Sequence, residues 1–106
     1  MDAVTLKQQF LARLPQELVE KMPKIYDQII DEGVEAVLAG NANFDGRMPS
    51  TEQEWFIVLG IHFATATAAL EGVIKGTRKA FAKEPVNINI NYRGDTHSFQ
   101  YDALED

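Results

Sequence analysis

Residues 55–76 read WFIVLGIHFATATAALEGVIKG, and how this stretch is read decides the fold. Gly60, Ala64, Ala68, Gly72 and Gly76 recur at every fourth position. That spacing traces one ridge of a helix, because residues four apart are surface neighbours. Glycine inside a helix costs about 1 kcal/mol relative to alanine, so a row built largely of glycine implies a close approach that offsets it. Interlocking of i±4 ridges is the packing such a row permits, either with another helix of this chain or with the same helix of a second copy. Trp55, Leu59, Phe63, Leu70, Val73, Ile74 and Phe81 supply a broad apolar face, while Phe56, Ile57, Val58 and Ile61 cover other directions. A helix apolar nearly all round is central in its bundle or covered by an oligomer.

The ends of this helix are marked. Ser50 with Gln53, or Thr51 with Glu54, fits a capping box, and Pro85 closes the region, so the spacing predicts a helix over about 51–82. Its uncharged run from Trp55 to Leu70 is shorter than the roughly 20 residues a membrane span needs and contains His62, Thr65 and Thr67. The reading is a core helix rather than a membrane segment.

Upstream, Leu6, Phe10 and Leu14 lie on one face of a helix expected over about 2–14, which Pro15 ends. Leu18, Val19 and Met22 extend an apolar stripe as far as Pro23, giving a short helix or turn. Ile25, Ile29, Ile30, Val34, Val37 and Leu38 define a helix over about 23–39, stopped by Gly40. Gly33 sits inside it at the level of a helix crossing, and Asp27, Asp31 and Glu35 form an acidic outer row. After Val86 the period becomes two: Val86, Ile88, Ile90 and Tyr92 alternate with asparagines, and His97, Phe99 and Tyr101 alternate with Ser98 and Gln100. A turn at Gly94-Asp95 of type II′ would pair Tyr92 with His97, Ile90 with Phe99, and Ile88 with Tyr101. The expected architecture is α+β: about three helices with a central helical hairpin, then an antiparallel β-hairpin over about 86–102, in one domain spanning 1–106.

With 106 residues, 45% apolar and 25% charged, the composition is that of an ordinary globular chain. The absence of cysteine removes disulfides and thiolate chemistry. Together with a start that lacks a signal-peptide pattern, it favours the cytoplasm. A net charge of −6 argues against general nucleic-acid binding.

The stretch 41–52, NANFDGRMPSTE, places oxygen side chains at its positions 1, 3 and 5, glycine at 6 and glutamate at 12. It resembles a calcium-binding EF-hand loop. That resemblance implies Asn41, Asn43, Asp45 and Glu52 as ligands of a weak Ca2+ site, since calcium takes about six to eight oxygens and only two of these ligands carry charge. It departs from the pattern with asparagine first and Pro49 at position 9. The plainer reading is an interhelical turn leading into a capped helix, with no metal or other cofactor.

Lys75, Lys79 and Lys83 form an i, i+4 row with Arg78 beside it. This is either a solvated face near a helix C-terminus or a patch for an anionic partner; a third option pairs it with the acidic row of Asp27, Asp31 and Glu35. His62 has no carboxylate among its helical neighbours and reads as a packed histidine. Arg93-Gly94-Asp95 is explained by turn chemistry. The functional expectation is a small acidic, non-enzymatic interaction protein, a regulator, inhibitor or assembly factor. It would bind another macromolecule and self-associate, with a dimer through Gly60, Ala64, Ala68, Gly72 and Gly76. The alternatives are the calcium-responsive loop and a small enzyme with a site formed between subunits around His62 or Tyr101.

Overall fold

A computed structural model describes residues 2–104. The chain is α+β, with helices α1 (Ala3–Arg13), α2 (Gln16–Glu20), α3 (Lys24–Leu38) and α4 (Glu52–Ala80) followed by strands β1 (Val86–Tyr92) and β2 (Asp95–Tyr101). Four helices stand where about three were expected, and the extra one is the five-residue α2. Its length explains why periodicity leaves it ambiguous: a single turn and a half cannot display a 3.6-residue repeat. Pro15 and Pro23 occupy the N-cap positions of α2 and α3, where a missing N–H costs nothing. Asp2 caps α1 by accepting a 2.8 Å hydrogen bond from the Thr5 amide.

The residues separate into two compact units, one ending at Ala66 and one beginning at Thr67, with the boundary inside α4. The first unit holds one hydrophobic cluster: Leu6 and Phe10 from α1, Ile30, Val34 and Val37 from α3, and Trp55, Val58 and Leu59 from α4. Phe10 stands at its centre, 5.4 Å from the Phe56 ring and 6.1 Å from Phe63, edge-on to the latter. Gly33 is the close-approach point of α3, because a methyl group there would lie 2.6 Å from His62 Cδ2. Outside the core, Lys7 Nζ bridges Asp27 at 3.0 Å and Asp31 at 2.8 Å. Two members of the acidic row, Asp27 and Asp31, are therefore paired with α1.

The second unit comprises the rest of α4, the turn after it and the hairpin. β1 and β2 pair antiparallel with Tyr92 opposite Asp95, Ile90 opposite His97, Ile88 opposite Phe99 and Val86 opposite Tyr101. The turn is therefore Arg93-Gly94, not Gly94-Asp95, and each residue's cross-strand partner lies two positions earlier than expected. The cause is backbone conformation: Arg93 and Gly94 have φ of 52° and 85°, the pair of positive values a type I′ turn requires and the one that matches strand twist. Ile88 and His97 are buried on one face, and Ser98 donates to Asn89 at 2.7 Å on the other. A backbone hydrogen bond of 2.8 Å from Leu104 N to Ala82 O ties the chain after β2 to the turn after α4.

Candidate interaction surfaces

The loop into α4 is built by turn and cap chemistry. Phe44 and Arg47 exchange backbone hydrogen bonds of 2.8 and 3.1 Å, closing a tight turn over Asp45 and Gly46, whose φ values are 51° and 75°. Thr51 Oγ1 accepts from the Glu54 amide at 3.1 Å, while Glu54 Oε1 accepts from the Ser50 amide at 3.1 Å. Of the two capping registers read from the sequence, Thr51 with Glu54 is the one whose hydrogen bonds form, with the carboxylate reaching back to Ser50. Arg47 holds the same carboxylate with bonds of 2.7 and 3.0 Å, and this guanidinium, helped by the Ser50 amide, pushes Glu54 down to about 2. Glu52, the position-12 carboxylate of the EF-hand resemblance, is bound instead by Arg13 at 3.2 Å. Asn41 and Asn43 are exposed, and no group of three or more His, Asp or Glu side chains among the described residues is arranged to hold a metal.

The small-residue row is open. Ala64, Ala68, Gly72 and Gly76 are exposed and Gly60 is half-buried, and a methyl group added at Gly60, Gly72 or Gly76 would meet no atom within 4 Å. Beside the row, Ile61 is 63% exposed and Val73 56%. The helix crossing within the first unit uses Gly33, so the row is not consumed there. By length and composition α4 is apolar enough to cross a membrane, and only 17% of its most apolar stretch is buried. Gly76, at the end of the row, opens onto a depression of about 480 Å³ shared with Lys75, Arg78, Lys79 and Leu104.

The basic row is divided by the end of the helix. Lys75, Arg78 and Lys79 lie on α4, whereas Lys83 falls in the turn beyond Ala80. Arg78 is stacked on the Tyr101 ring with its guanidinium carbon 4.3 Å from the centroid, a geometry that suits the planar cation. Sequence reasoning missed this stack and the contribution of Leu104. The only available signal was that Tyr101 ends the apolar alternation of β2, and nothing in linear spacing ties it to Arg78.

His62 rests against Gly33, and its Nε2 is buried without a hydrogen-bond partner among the described residues. His97 Nε2 is buried in the same way. No hydrogen bond or ion pair among the described residues joins either Nε2 to a carboxylate, the partner a general base needs. Comparison of the chain with protein-family models, curated proteins and solved structures finds no match.

Proposed function

We propose that this chain is a cytoplasmic interaction protein with no reaction of its own, which self-associates as a dimer through the open face of α4 and in that form acts as a regulator, inhibitor or assembly factor for another macromolecule. The observation that carries the reading is the exposure of Ile61 and Val73 beside glycines with open space above them. Apolar surface left in water forfeits about 25 cal/mol per Å² relative to burial, and soluble monomers seldom leave large contiguous patches of it. The row from Gly60 to Gly72 lets two backbones approach, and an isologous contact would bury the same residues on both copies.

Sedimentation velocity and native mass spectrometry of the wild type, Ala64→Leu and Gly72→Leu test it. Both positions are exposed, so bulky substitutions there leave the fold of one copy intact. A wild-type dimer with monomeric variants of unchanged circular dichroism is the expected result. A wild-type monomer at tens of micromolar, or dimers in all three proteins, overturns the reading. A bilayer would cover the same face, and flotation of the wild type with neutral lipid vesicles while it remains monomeric in buffer would assign the face to lipid.

A further inference from the structure

We infer that the outer edge of β1 pairs antiparallel with the same edge of a second copy, joining two hairpins into one four-stranded sheet. The hairpin is the whole of its sheet, so each strand has one unpaired edge. Tyr92 and Asp95 close the two-residue turn, and hydrogen-bonded pairs alternate along the ladder from there. Val86, Ile88, Ile90 and Tyr92 therefore turn their N–H and C=O groups toward β2, while Asn87, Asn89 and Asn91 turn theirs outward. Those outward groups have no backbone partner among the described residues, and the three asparagines are exposed. Nothing in β1 guards this edge: it has no charged residue and no proline, and it pairs with β2 without a bulge. Two strands alone are marginal in water, so added strands are a gain.

The symmetry of the sequence selects a second copy as the occupant. Outward from Asn89, VNININY places isoleucine on both sides, then asparagine on both sides, then Val86 and Tyr92. An antiparallel pair centred on Asn89 sets Asn89 opposite Asn89, Asn87 opposite Asn91, and Ile88 opposite Ile90. Each asparagine pair is a hydrogen-bonded one, because those are the residues whose backbone faces outward. The packed face continues across the axis through the isoleucines, and the exposed face continues through the asparagines. Ser98 donates to Asn89 Oδ1, which leaves the Nδ2 group of Asn89 available to the facing asparagine, as in an amide ladder. The edge of β2 is not self-matching: pairing about Ser98 would set His97 against Phe99 and Asp95 against Tyr101. The contact is isologous and independent of the seam proposed on α4. Its small area places it among weak interfaces, formed at about 1 mM rather than at tens of micromolar.

The test is NMR on Gly72→Leu, which blocks the α4 seam, at about 20 micromolar and about 1 mM. The amides of Asn87, Asn89 and Asn91 are expected to exchange about threefold or more slowly at the higher concentration, with those of Thr96, Ser98 and Gln100 unchanged. In a mixture of labelled and unlabelled chains, a contact between Ile88 Hα and Ile90 Hα should appear between copies; along one strand these positions are about 7 Å apart. Asn89→Lys sets like charges opposite each other on the axis, and Asn89→Pro removes an outward N–H that the hairpin does not use. Both should abolish these effects with circular dichroism unchanged, while Thr96→Lys, on the other edge, leaves them intact. Exchange independent of concentration, effects that survive Asn89→Lys, or slowing at Thr96, Ser98 and Gln100 instead would each overturn the inference. So would slowing of the β1 asparagines only by an added extended peptide, which would give the edge to another protein. A wild type that is monomeric at tens of micromolar defeats the α4 seam and leaves this outcome to be read separately.

Discussion

Helices α3 and α4 each carry glycine in their interior and put it to opposite uses. In α3, Gly33 is buried and admits the His62 ring so closely that a methyl group would meet Cδ2 at 2.6 Å. In α4, Gly60, Gly72 and Gly76 face open space. The first glycine is spent inside the chain. The others lower helix propensity and return nothing within the chain, which is why the proposed function looks outside it. A glycine row in a sequence thus identifies a ridge; only the surrounding atoms reveal whether that ridge is occupied.

The sharpest way to break this contrast is to compare the two sides of α4. Leu59 is 2% exposed and belongs to the core, whereas Ile61 is 63% exposed. Leu59→Ala should destabilise the chain by about 2–5 kcal/mol, while Ile61→Ala, measured where the chain is monomeric, should stay within about 0.5 kcal/mol of wild type. Denaturant titration of both reads this directly. A large loss for Ile61→Ala at low concentration would mean that its face is covered within one copy.

Next in size is the glycine of α3. Gly33→Ala gains helix propensity but overpacks the contact with His62 Cδ2 and Cγ, at 2.6 and 3.2 Å. The net expectation is a loss of about 1–3 kcal/mol. A second substitution, His62→Ala, should restore room, so the double mutant should be more stable than the sum of the two singles predicts, by about 0.5–3 kcal/mol. Additive effects would show that Gly33 and His62 do not touch.

The opposite sign is expected on α4. Gly72→Ala adds a methyl group to open space and should raise stability by about 0.5–1 kcal/mol in the monomer. Thermal unfolding at low concentration checks it, and destabilisation would mean that the glycine is already in contact.

Much of this arrangement was legible in the sequence. The limits of α1 and α3 follow from Asp2, Pro23 and Gly40, whose φ of 80° shows the left-handed stop glycine favours. The strands followed from alternation, but their register did not. Moving the turn from Gly94-Asp95 to Arg93-Gly94 slips the pairing by two residues, which keeps every side chain on the same face, so the alternation alone cannot choose. The ridge of α4 was legible as a ridge, while its vacancy was not, because periodicity reports a face and not what covers it. The Arg78–Tyr101 stack joins residues from different elements and leaves no trace in local spacing.

The smallest effect concerns the two ends of α4. At its C-terminal end Lys75 and Lys79 have no ion pair among the described residues; at its start, Glu54 is gripped by Arg47 and the Ser50 amide. Those bonds favour the carboxylate, so Glu54 titrates at about 2 in the folded chain against an ordinary 4.5. Between those values the unfolded chain binds more protons than the folded one, and stability rises with pH through the window. The contribution is complete above about pH 4.5 and fades as pH falls toward 2. Because the Arg47 side chain is 51% exposed, solvent and salt screen the pair and keep its effect small. Glu54→Gln should therefore lower stability slightly at neutral pH and unfold with a shallower acid dependence, its difference from wild type shrinking as the pH drops. Parallel acid curves for the two proteins would show that the ordered start of α4 is held by Thr51 alone, and that both ends of this helix are electrostatically idle within the chain.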